Sequence, residues 1–131
     1  MSSELKLQQA SAEFQQLQAD LSRVVEARQR LDAQLSENEL VKKEFAQLTS
    51  GNTVYKLIGP VLVKQDQAEA KSNVNTRLDY IRSEIRRVEG QIKDIEQKQE
   101  KKKTELVQIQ TALRQKSAPP ASISTPSAPA I

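Results

Sequence analysis

The feature that most constrains this chain is a row of apolar residues in its second half. Val74, Leu78, Ile81, Ile85, Val88, Ile92 and Ile95 follow one another at alternating steps of four and three. The row continues through Gln99 and Lys102 to Leu106, Ile109 and Leu113. A 3.5-residue repeat keeps one narrow stripe on one side of an α-helix, which is the seam of a coiled coil. Such a stripe needs a second helix to cover it. The spacing predicts a helix over 67–115. Asp66 caps it, and Glu69, three residues on, completes a capping-box-like pair. Gly90 falls on the outer face, where it costs about 1 kcal/mol relative to Ala but disturbs no packing.

The partner helix lies upstream. Residues 4–49 contain no Gly or Pro, and Leu7, Ala10, Phe14, Leu17, Leu21, Val24, Leu31 and Leu35 recur at threes and fours. This seam is less regular. Arg28 and Asn38 fall at inward positions, and the stripe drifts toward Val41, Phe45 and Leu48, as a straight helix drifts against a heptad. The 16 glutamines, with many Glu, Lys and Leu, also suit long helices. Each helix spans about 70 Å at about 1.5 Å per residue. Thr49 to Thr53 ends the first, with Gly51 able to take the left-handed conformation that commonly closes a helix.

Between the helices runs a segment of different texture, VYKLIGPVLVKQ, from Val54 to Gln65. Two β-rich runs flank Gly59-Pro60, which reads as a hairpin over 53–65. With a two-residue loop, Ile58 opposes Val61 and Leu57 opposes Leu62. The expected fold is mainly α: a long antiparallel two-helix coiled coil joined by a β-hairpin. Paired positions then total about 116, which sets Phe14 near Lys102. One domain spans 1–116. From Ser117 the chain is uncharged and rich in Ser, Pro and Ala, so 117–131 is expected to be a disordered tail.

Composition narrows function. The chain has no Cys and no His, which excludes disulfides, the usual zinc ligands and Cys or His nucleophiles and bases. Only Phe14, Phe45, Tyr55 and Tyr80 are aromatic, too few to fill a globular core. The net charge is +3, but bases and acids are interleaved, the pattern of a solvated helix face rather than a nucleic-acid site. The run Lys101-Lys102-Lys103 is flanked by Glu100 and Glu105. The longest uncharged apolar run, Leu57 to Val63, falls far short of the roughly 20 residues that span a bilayer. No signal-peptide pattern opens the chain, so a cytoplasmic location is expected. Gly59 stands alone, so there is no Gly-rich phosphate loop. The carboxylates lie along exposed helix faces with no concave site to shift them. No enzyme activity and no cofactor are expected.

The hairpin leaves an unmet need. A lone two-stranded ribbon is marginal in water. This one carries Val54, Tyr55, Leu57, Ile58, Val61, Leu62 and Val63, whose burial at 1.5–3 kcal/mol each puts on the order of 10 kcal/mol at stake. Apolar residues on both faces and two open edges make it an assembly element, to be completed by strands of other copies or of relatives. A closed barrel of several hairpins would satisfy edges and faces together. The bland alternative is a hairpin folded against its own helices. At the far end, the polar break at Gln99 and Lys102 admits two readings. The last turns splay and offer their seams to something else, or the seam stays paired and merely frays.

From Asn52 to Ile81, NTVYKLIGPVLVKQDQAEAKSNVNTRLDYI, the sequence resembles the β-type subunits of prefoldin. The resemblance implies a heterohexameric, ATP-independent co-chaperone of two α-type and four β-type subunits, whose hairpins form a β-barrel platform. It implies as partners the other α-type and β-type subunits, unfolded actin and tubulin, and the cytosolic chaperonin. Val54 to Lys64 would be platform strands. Leu5, Leu7, Phe14, Leu106, Ile109 and Leu113 would bind clients at the coiled-coil tips. The runner-up is a structural coiled-coil scaffold or tether without client binding.

Overall fold

Ser2 starts the first helix. Its Oγ accepts from Leu5 N at 3.1 Å and its carbonyl accepts from Lys6 N at 3.0 Å, which satisfies donors that a helix N-terminus leaves free. In the computed structural model, which describes residues 2–117, four elements follow in order. They are α1 (Ser3–Ala46), β1 (Val54–Ile58), β2 (Val61–Gln65) and α2 (Gln67–Ser117). The chain is therefore mainly helical, with a hairpin between two long helices. The described residues divide into two compact units, residues 23–93 and residues 2–22 with 94–117. The Ser/Pro/Ala tail, 118–131, lies outside the described residues.

The unit of residues 23–93 holds most of the buried apolar side chains. Ala70, Val74, Leu78, Ile81, Ile85 and Val88 are buried, and Leu78 is fully so. Here α1 and α2 run antiparallel: Arg28 pairs with Glu89 at 3.3 Å, and Glu39 with Arg82 at 3.5 Å. The α1 residues opposite, Val24, Leu31, Leu35, Val41 and Phe45, are half-buried. The two polar residues expected on this seam are both satisfied. The Arg28 guanidinium also lies 3.7 Å from Asp32. Asn38 Nδ2 donates to the Gln34 carbonyl one turn back at 2.7 Å, so it asks nothing of the partner helix.

In the unit of residues 2–22 and 94–117 the same seam is thinner. Ala10 is its one buried apolar side chain among the described residues. Leu7, Phe14, Leu17 and Leu21 on α1, and Ile95, Leu106, Ile109 and Leu113 on α2, are half-buried. Lys102 occupies a seam position and bonds Glu13 of α1 as well as Glu105 of its own helix, the latter at 2.9 Å. The Glu13 contact lies one residue from the expected pairing of Phe14 with Lys102. The two carboxylates, Glu13 first, hold the Lys102 ammonium above its ordinary pKa.

The end of α1 differs from expectation. The helix stops at Ala46, and Gly51 does not adopt a positive φ. The last turn tightens instead, with Gln47 N donating to Glu44 O and Leu48 N to Phe45 O. Asn52 then closes the connector. Its Oδ1 accepts from Thr49 N at 2.7 Å and from Thr49 Oγ1 at 3.0 Å, while Asn52 N donates to Thr49 O. An Asn side chain thus does the work assigned to glycine. Asp66 behaves as expected, its Oδ2 accepting from Glu69 N at 3.1 Å.

Candidate assembly site

The hairpin is a two-stranded antiparallel sheet in the register Val54↔Gln65, Tyr55↔Lys64, Lys56↔Val63, Leu57↔Leu62 and Ile58↔Val61. The last two pairs are those read from the sequence. Gly59 makes the two-residue loop possible, with φ at +59°. A positive φ at the first central position followed by the fixed negative φ of Pro60 is the pattern of a type II′ turn, which suits the twist of a hairpin. Proline costs nothing there, because the second central N–H is not needed by the ladder.

Side chains alternate across the ribbon. One face carries Val54, Lys56, Ile58, Val61 and Val63, and the other carries Tyr55, Leu57, Leu62 and Lys64. Neither face is covered. Leu57 is 66% exposed and Leu62 63%, and Tyr55, Ile58, Val61 and Val63 are exposed as well. Among the apolar strand residues only Val54, at the root, is half-buried. The hairpin therefore does not fold onto its own helices. Each strand also keeps one edge unpaired within the chain.

The root of the ribbon is tied down by a residue that sequence reasoning missed. Gln67 Nε2 donates to Thr49 O and to Asn52 O, each at 2.7 Å. One amide thus joins the first turn of α2 to the connector before β1. The Asn52 turn was legible as an Asn three residues after a Thr, but the Gln67 bonds were not, since they cross 15 and 18 positions.

The second set of predicted residues lies in the other unit. Leu5 is half exposed, and Leu7, Phe14, Leu106, Ile109 and Leu113 are half-buried on the seam rather than swung outward. Val107, off the seam, is 55% exposed. Among the described residues no group of His, Cys, Asp and Glu side chains is placed to hold a metal, and no helix is long and apolar enough to cross a membrane.

Residues 8–112 match the family model described as Prefoldin subunit. The chain is 51% identical to prefoldin subunit 6 of Bos taurus over 105 residues, covering 80% of this chain and 81% of that one. It is 43% identical to prefoldin subunit 6 of Saccharomyces cerevisiae over 103 residues, covering 79% and 90%. The crystal structure of the prefoldin beta subunit from Thermococcus strain KS-1 superposes with a TM-score of 0.73 at 25% identity, covering 83% of this chain and 93% of that one. Helix, open hairpin, helix, and a match that runs through all three, establish that the chain belongs to the prefoldin subunit family.

Proposed function

We propose that the chain is one subunit of a heterohexameric, ATP-independent co-chaperone of the cytoplasm. Its hairpin joins those of other α-type and β-type prefoldin subunits in a barrel platform. The complex holds unfolded proteins, actin and tubulin among them, and delivers them to the cytosolic chaperonin. The observation that carries this reading is the ribbon itself: apolar on both faces, open at both edges and uncovered by its own chain. Neighbouring strands would satisfy faces and edges together.

Client contact is assigned to Leu5, Leu7, Phe14, Leu106, Ile109 and Leu113. Their support is the thin seam of the unit that contains them, where nearly every apolar side chain keeps part of its surface in water. Weak, plural apolar contacts suit a protein that binds without sequence preference and releases without fuel. No covalent step is involved.

Native mass spectrometry tests assembly. Mixed with its partner subunits, the chain should give a six-chain species, whereas a tether would give a homodimer through its helices. The grip is tested by removing residues 1–14 and 106–116. The truncated complex should assemble but no longer keep denatured actin from aggregating. If it protects actin as well as the full-length complex does, the tip residues are wrongly assigned.

A further inference from the structure

Leu78 and Ile81 of the segment Arg77-Leu78-Asp79-Tyr80-Ile81 are buried in the helix seam. Arg77 and Tyr80, three apart and therefore neighbours on the helix surface, are not used there. Both line a groove of about 700 Å³ at the root of the hairpin. Its other walls come from Val41 and Phe45 of α1 and from Val54, Tyr55 and Lys56 of β1. We propose that this groove docks an acid-bearing, apolar segment of the adjacent prefoldin subunit, with Tyr80 and Arg77 as its anchors. The proposal rests on the assembly reading above and names the helix-side half of that interface.

Three observations carry it. The first is composition. Both tyrosines of the chain stand at one groove, 57% and 65% exposed, above half-buried Val41 and Phe45. Tyrosine and arginine around an apolar floor are the residues that dominate binding energy at protein interfaces.

The second is charge. Apart from the phenols, the ionisable side chains lining the groove are Lys56 and Arg77, both cationic. Neither has a carboxylate partner among the described residues, whereas Arg82 and Arg87, further along the same helix, are paired with Glu39 and Glu84. Two free cations over an apolar floor are complementary to a carboxylate flanked by apolar side chains.

The third is continuity. Val54, Tyr55 and Lys56 belong at once to β1 and to the groove wall, so a partner strand drawn to the open ribbon brings its flanking residues to this site. Of the partners such chemistry could fit, the adjacent subunit is the one already brought there.

The test uses the full chain reconstituted with its partner subunits. With Tyr80→p-benzoylphenylalanine, irradiation of the assembled complex should cross-link to a neighbouring prefoldin subunit, within a peptide that carries Asp or Glu. Arg77→Glu should weaken incorporation into the complex by about tenfold, and Arg77→Lys by less, since one donor point charge remains. Both positions lie off the seam, so the free variants should keep the parent's helicity by circular dichroism. Cross-links confined to its own chain, to a second copy or to a bound client would overturn the proposal. So would an Arg77→Glu variant that incorporates within twofold of the parent. If the parent chain itself does not assemble, the assembly reading fails, a result separate from either of these.

Discussion

Replacing Leu57 and Leu62 together by alanine should cripple assembly while leaving the isolated chain untouched. The two face each other across the ribbon, and 66% and 63% of their surfaces remain in water. Full burial of a leucine side chain is worth about 1.5–3 kcal/mol. Two-thirds of that is still to be gained when a neighbour covers the ribbon, or about 1–2 kcal/mol each. Alanine keeps a part of it, so the pair should forfeit about 2–3 kcal/mol of association energy, or about 30- to 150-fold in Kd. Titration of the partner subunits against the labelled chain, read by native mass spectrometry or sedimentation, measures that factor. The free chain supplies the internal control. Side chains that touch little in it should change its own stability by no more than about 0.5 kcal/mol, read by thermal circular dichroism. Assembly within threefold of the parent would refute the argument, because the exposed face would then not be the one that neighbours cover. A large loss of stability in the free chain would refute it differently, by showing that the ribbon is already packed.

Leu78→Ala should destabilise the free chain by about 2–3 kcal/mol, since Leu78 is fully buried, whereas Leu40→Ala, at a 58% exposed position, should cost under about 0.5 kcal/mol; urea unfolding compares the two. Gly59→Ala should cost about 1–2 kcal/mol of hairpin stability, visible as faster amide exchange in β1 and β2. The penalty comes from φ at +59° and not from space, because nothing lies within 4 Å of the added methyl. Lys102 is held above its ordinary pKa of 10.5 by Glu13 and Glu105. Its contribution is therefore complete below pH 10.5 and lost as pH rises through the higher folded value. Melting the parent beside Lys102→Met from pH 8 upward should show a gap that closes only above about pH 10.5, and a gap that instead widens would contradict the pairing.

Much of the fold could be read from the order of residues alone because its signals are short-range. A stripe at 3.5 residues marks which side of α2 faces inward, and every position read onto that seam, from Val74 to Leu113, is buried or half-buried. Gly59-Pro60 has few backbone solutions, and a two-residue loop fixes which strand residues oppose each other. Asp66 can cap because its acceptor needs only the N–H three residues on. The apolar character of the ribbon, and so the candidate assembly site, was legible for the same reason.

What the tertiary structure alone decided depends on groups far apart along the chain. Periodicity says which side of a helix is covered but not how completely. Leu78 is sealed while Leu106 and Leu113, at the same heptad position, are only half-covered, because depth is set by what the facing helix offers. The end of α1 moved from the glycine to Ala46 because Asn52 and Gln67 supplied acceptors and donors that no local pattern announces. Likewise, the groove beside Tyr80 exists only where α1, β1 and α2 meet. Contacts within one turn of helix are written into adjacent residues, whereas contacts between elements appear only once the chain has folded back on itself.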